Sequence, residues 1–196
     1  MASEAVVKST SDFCQQLIWT PGGALNLGLH SLPAYLNSYG YAQQGTKGNL
    51  STVTAGYRAV QWWIRLKVAL AEPPIAKRSV AVFWAGSPVA TNNAGDNPMG
   101  LTGANGRLAV SGADLPDYYA PGFGLLPGDN LLYVGQISVG HHTGIQVADV
   151  GFFNAAHQYG MPLVVNFTNC AFDATTSNFS LTVYPVVDAQ KMGASD

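Results

Sequence analysis

Residues 57–71, YRAVQWWIRLKVALA, constrain the fold of this chain more than any other stretch. Side chains of a β-strand alternate between its two faces. Read as one long strand, the segment puts Trp62, Ile64, Leu66 and Val68 on one side and Trp63, Arg65 and Lys67 on the other. The first side is a core face. The second combines a large aromatic with two cations: either it meets a partner, or Trp63 packs under a loop of the same chain while the cations are solvated. What it touches is the functional question that the sequence poses.

The same reading extends along the chain. Strands are expected at 12–19, 24–30, 57–71, 79–85, 106–111, 131–139, 144–150, 162–168 and 179–187. Their markers are period-2 alternation and β-branched or aromatic content, bounded by Gly, Pro, Asn and Asp. SVAVFWA and FSLTVYPVV carry the clearest pattern. TNNAGDNPMGLTGANG (91–106) is turn chemistry and reads as an exposed loop. The stretch 112–130 is a second long connection, with a short helical turn expected near Asp114–Tyr119. The expected fold is all-β: one domain over 1–196, an antiparallel eight-stranded jelly-roll β-sandwich with long loops, with residues 1–11 as a flexible arm.

Composition limits what such a sandwich can do. Of 196 residues only 10% are charged, against a usual quarter, while 47% are hydrophobic. A chain this poor in charge has little with which to cover a free surface, which favours burial against further subunits. The net charge of -2 argues against a general basic field for nucleic acid. The first 46 residues hold one cation, Lys8, so no basic arm is present. No run of 18 apolar residues suggests a membrane helix, and MASEAVVKSTSD lacks the layout of a secretion signal. Cys14 and Cys170 read as free thiols in polar settings, in a reducing compartment, with a disulfide as the alternative because both lie in or near expected strands. The sequons at Asn49, Asn166 and Asn178 read as chance occurrences in an Asn- and Thr-rich chain.

Catalytic patterns are absent: no Gly-x-Ser-x-Gly elbow, phosphate loop, His-Glu-x-x-His or Cys-x-x-Cys occurs. The chain is therefore not expected to be an enzyme and needs no cofactor. GHHTGIQVAD offers His141, His142 and Asp149, with His157 nearby, but adjacent histidines on a strand point to opposite faces. Only a turn at Gly140 and Gly144, at what looks like a hairpin tip, would bring both to one metal. Asp114 and Asp117 in DLPD could share a hard cation such as an interfacial calcium.

A family resemblance adds to this reading. Tyr57-Arg58-Ala59 opens a long strand, Glu72-Pro73-Pro74 makes a turn, and a short strand ends in Trp84 and Ala85-Gly86-Ser87-Pro88. This order resembles the C and D strands of the coat proteins of small icosahedral positive-strand RNA viruses of plants, most closely tymoviruses. PGGALNLGLHSLPAYLNSYGYAQ is similar to their long B-to-C connection, LLPGDNLLYVGQISV to a proline-bearing loop and F strand, and NFSLTVYPVV to the last strand. The likeness spans roughly residues 50–187; the 91–106 loop, the long loops after it and the Trp62-Trp63 pair depart from it.

The resemblance implies a structural protein that self-assembles into an icosahedral shell, located in the virion and, during assembly, in the host cytoplasm, with no membrane partner. It makes Trp63, Arg65 and Lys67 a subunit-interface face, with the tryptophan as buried anchor and the cations facing a partner's carboxylates or packaged phosphates. Genomic RNA would be contacted weakly, by Lys8, Lys77, Arg78 and His30, with Gln15 and Gln16 as polar neighbours. Two other classes fit parts of the pattern. A lectin-like module would stack sugars on Trp63, Tyr118 and Tyr119; a cupin-like enzyme would bind metal through His141, His142 and His157.

Overall fold

The computed structural model describes residues 5–7, 16–28, 42–53, 59–75, 79–93, 97, 101, 103, 106–108, 131–168 and 170–188. Among the described residues twelve strands follow in order: β1 (Ala5–Val7), β2 (Leu17–Thr20), β3 (Leu25–Asn26), β4 (Ala42–Gln44), β5 (Gly48–Asn49), β6 (Ala59–Val68), β7 (Ser79–Ser87), β8 (Gly106–Leu108), β9 (Leu131–Ser138), β10 (Gln146–Phe153), β11 (Tyr159–Asn166) and β12 (Ser180–Asp188). Among the described residues the only helical pieces are two short 3-10 turns, Leu50–Val53 and Thr176–Asn178. The chain is all-β and forms two sheets.

The first sheet runs β10-β6-β12-β2-β3, with β1 also paired to β12. The second runs β8-β4-β11-β7-β9, with β5 also paired to β11. All pairings are antiparallel except β2 with β3. Their inner faces meet in one core. The first sheet contributes Trp19, Trp62, Ile64, Leu66, Val68, Leu181 and Val183; the second contributes Val80, Val82, Trp84, Ile137 and Val164. Two tryptophans span the gap: Trp19 meets Trp84 edge to face at 5.8 Å, the geometry that aromatic quadrupoles favour. Trp19 also donates from Nε1 to the Thr46 carbonyl at 2.7 Å, so the indole is buried without an unmet donor.

One side of the sandwich is closed by glycines. The ladder between β9 and β7 skips Val134, and that between β10 and β6 skips Val150, a bulge on each strand. The two bulges face each other across the sheet boundary. A Cβ on Gly135 would collide with the Val150 carbonyl, and one on Gly151 would lie 2.7 Å from the Val134 carbonyl oxygen. Only glycine at both positions allows the two backbones to approach.

Several expectations shift at this level. The strand read over 57–71 is Ala59–Val68, with Leu70 adding an isolated bridge to Phe172. β4 and β5 were not expected, and β4 ends the stretch read as one long connection; both are too short for periodicity to reveal. Ala5–Val7, assigned to a flexible arm, pair with β12, extending its ladder by Val186–Asp188. The segment around His141 and His142 does turn: His142 N donates to the Gly140 carbonyl at 2.9 Å. It is not a hairpin tip, because the strands that it joins, β9 and β10, lie in different sheets. Cys170 is a free thiol in the apolar core rather than a polar setting, and burial pushes it up from the ordinary thiol value.

The outer faces of the two sheets differ. Ala81, Phe83, Ala85, Met161, Leu163 and Val165 form a second buried cluster on the outside of the second sheet, with Leu101 and Phe167. Leu101 comes from the 91–106 connection, which corrects the expectation of an exposed loop. Thr91–Asn93 are exposed, but Asn97, Leu101 and Gly103 are buried. Asn97 Nδ2 donates to the Asn93 and Leu101 carbonyls, and Lys47 N donates to the Gly103 carbonyl. Lys47 Nζ donates to Ser87 Oγ and to the Val89 and Thr91 carbonyls at 2.7 to 2.9 Å. At its described residues, then, a stretch rich in turn residues contributes buried side chains, because carbonyls at Thr91, Asn93, Leu101 and Gly103 find donors within the fold.

Candidate subunit-interface face

The outer face of the first sheet is where the structure places Trp63, Arg65 and Lys67. Register arranges their neighbours in three rows. Tyr184, Trp63 and Phe152 lie side by side on β12, β6 and β10; Ile18, Thr182, Arg65 and Asp149 cross β2, β12, β6 and β10; Ser180, Lys67 and Val147 form the third. The alternation that buries Ile64, Leu66 and Val68 is what aims these residues outward.

Trp63 is held on several sides by its own chain. Its ring lies 4.9 Å from Tyr184 with a 30° tilt and 6.4 Å from Phe152 with a 23° tilt. Rings lying side by side in one plane cannot approach to the first distance, so Trp63 and Tyr184 overlap face to face. The Arg65 guanidinium carbon sits 4.6 Å from the Trp63 ring centre. Each such contact contributes about 0.5 to 1.5 kcal/mol beyond area burial. Together they fix the indole across three strands and leave it half-buried.

Both cations also find partners within the chain. Arg65 Nε donates to Asp149 Oδ1 at 2.9 Å, with the two side chains 41% and 55% exposed. The bond to Asp149 raises the Arg65 guanidinium above its ordinary value, with burial acting the other way. Lys67 Nζ donates to the Ser177 carbonyl at 2.7 Å. The carboxylate expected from another subunit is thus supplied first by β10 of the same chain. An ion pair this exposed contributes about 0 to 1 kcal/mol, so it orients the guanidinium more than it stabilises the fold.

Beside this exposed ion pair the face also leaves apolar side chains open. Phe152 is 54% exposed, Val147 57% and Ile18 41%. Sequence reasoning missed all three, together with Tyr184 as a neighbour of Trp63. For Phe152 the signal was hidden by the bulge at Val150, which reverses the alternation within β10; counting by twos from Val147 assigns Phe152 to the core.

The other candidates separate. His141 Nδ1 lies 2.7 Å from the Pro74 carbonyl, His142 Nδ1 accepts from Gly144 N, and His157 packs against Gly86 in the second sheet. Among the described residues no group of three or more His, Cys, Asp or Glu side chains is placed to hold a metal ion. Asp114 and Asp117, proposed for calcium, lie outside the described residues, as do Tyr118, Tyr119, Cys14, Gln15 and the RNA-contact candidates Lys8, His30, Lys77 and Arg78. No helix among the described residues is long and apolar enough to cross a membrane.

A scan of the chain against protein-family models finds no match. Searches of curated proteins and of solved structures find no match either.

Proposed function

We propose that this chain is a coat protein that self-assembles into an icosahedral shell around a genome. The observation that carries the reading is the nesting of its strand pairs. Leaving aside β3 and β8 at the ends of the two sheets and β1 and β5 off their main paths, eight strands remain, and they pair first with last and inward from there: β2 with β12, β4 with β11, β6 with β10 and β7 with β9. The nested ribbon then joins across β12 with β6 and β11 with β7. We read this nesting as the winding of a jelly roll, an architecture used by viral capsid and lectin domains and by cupins. On this count β6 and β7 are the third and fourth strands of the roll, one place later than the C and D positions that the resemblance suggested, because β4 takes the C position.

Within that architecture, two further observations favour a shell protein. The outer face of the first sheet carries exposed apolar side chains, and the chain has too few charges to solvate a large free surface. Trp63, Arg65 and Lys67 belong to that face and are proposed as interface residues. The flat aromatic surface that a lectin would offer a sugar is not open at Trp63, since Tyr184, Phe152 and Arg65 surround its ring. The protein has no catalytic role in this proposal. It works in the virion, after assembly in the host cytoplasm, and its contact with RNA is weak because nine cations are outnumbered by eleven carboxylates.

Electron microscopy of the purified protein tests the reading. Closed shells that persist in about 1 M salt support it, since contacts that use few ion pairs are little weakened by screening. Their absorbance ratio at 260 and 280 nm should allow empty particles. A chain that stays monomeric at every concentration removes the proposal.

A further inference from the structure

The outer face of the first sheet excludes some occupants by its own chemistry. A nucleic acid is held best by a field of unopposed cations, whereas here Asp149 offsets the charge of Arg65 and leaves Lys67 as the one unopposed cation of the three rows. A sugar needs an open ring face, and that of Trp63 is flanked by Tyr184, Phe152 and Arg65. What the β6–β10 edge of this face offers is exposed apolar surface at Phe152 and Val147 around a central cation–carboxylate pair. Such a surface suits a partner that is apolar and carries both signs of charge at matching positions. A second copy of this chain has those properties.

We propose that two copies dock face to face through the β6–β10 edge of this sheet, about a two-fold axis running along the strands between β6 and β10. Rotation about that line turns one face onto the other and exchanges the two strands laterally. Because Lys67, Arg65 and Trp63 stand opposite Val147, Asp149 and Phe152 in the ladder, each residue then meets the other member of its row. Arg65 of one protomer lies over Asp149 of its partner, and Asp149 over Arg65, so four alternating charges meet at the centre. Trp63 lies against Phe152 of its partner, and the Lys67 stem covers Val147. The contact is isologous and self-complementary, as a two-fold interface must be. The ordinary packing of two sheets at about 30° accommodates it. The inference rests on the coat-protein reading only for its place in a shell, as a two-fold contact; the docking itself does not depend on it.

Charge exchange tests the arrangement. Sedimentation velocity is run on the full chain, on Arg65→Glu, on Asp149→Arg, and on an equimolar mixture of these two variants, with far-ultraviolet circular dichroism to establish folding. Each variant alone brings like charges together across the axis and should self-associate about ten- to a hundredfold more weakly than the parent. The mixture should regain parental association, because every facing pair is then opposite in sign. Phe152→Ser should weaken association by a similar factor and should not be rescued by either variant. Single variants that associate like the parent, a mixture of folded variants that stays apart, or a parent chain that never associates would each overturn the proposal. The two readings separate cleanly. Rescue with nothing larger than a dimer keeps the docking face and removes the shell, whereas shells built by all three variants keep the shell and remove the docking face.

Discussion

Strands β6 and β7 follow each other in the chain and face each other across the core, yet their outer sides have opposite fates. In β6 the inward Trp62, Ile64, Leu66 and Val68 are buried, and the outward Trp63, Arg65 and Lys67 are only partly so. In β7 every residue from Val80 to Ser87 is buried. SVAVFWA does not alternate in polarity: Val80, Val82 and Trp84 belong to the core between the sheets, while Ala81, Phe83 and Ala85 belong to the outer cluster with Leu101. A strand apolar on both sides needs cover on both, which makes near-continuous hydrophobic runs the mark of buried sheets. The second sheet is covered by its own chain. The first is left with a face on which aromatic and charged side chains support one another.

The strongest test of this contrast is one chemical change made on both outer faces. Leu163→Asp puts an unpaired carboxylate into the covered cluster and should prevent folding or cost about 4 kcal/mol or more. Val147→Asp, on the open face, should change stability by no more than about 0.5 kcal/mol. Chemical denaturation of both variants decides the matter, and equal losses would mean that the two faces are not different in kind. Next in size, Leu101→Ala removes a buried side chain from the covering segment. It should cost about 2 to 4 kcal/mol, the usual range for a cavity left in a core. A shift of the denaturation midpoint near zero would show that 91–106 does not seal the second sheet.

Smaller effects sharpen the description of the open face. Asp149→Asn should lower stability by less than about 1 kcal/mol in low salt and still less in high salt, as for other exposed pairs. Smallest is a pH effect at the turn beside that face. Asp173 accepts from Thr175 N at 2.8 Å and from Asn178 Nδ2 at 3.0 Å, and the Thr175 backbone bond in particular holds its carboxyl below the ordinary Asp value. A carboxylate depressed in the folded state contributes stability that is complete above the unfolded value and is lost as pH falls through the folded one. Melting temperatures of the parent and Asp173→Ala should therefore converge on acidification below about pH 4.

Much of the sandwich was readable from local pattern. Ile64, Leu66 and Val68 were assigned to the core because period-2 alternation in a long strand admits only one buried side, and Leu181 and Val183 followed by the same logic. Trp63, Arg65 and Lys67 were singled out because that pattern left them facing outward together. Patterns shorter than a full alternation carried no such information, as β4 and β5 illustrate. Phe152 was hidden for a different reason: the bulge that turns it outward follows from the approach of β9, which no local rule anticipates.

By itself, then, the sequence determined that this chain is built from strands, which side of β6 enters the core, and that few charges are available to coat the molecule. These properties depend on side-chain polarity and spacing over a few residues, and every neighbour they involve lies on the same strand. Only the tertiary structure decided that Trp63 is flanked by Tyr184 and Phe152, that Asp149 answers Arg65 from 84 residues away, and that Leu101 joins a buried cluster outside the second sheet while Phe152 and Val147 on the first stay exposed. Those outcomes depend on strand order and register. Both are set by how two sheets close around a shared core, and the distances involved lie beyond the reach of any window along the chain.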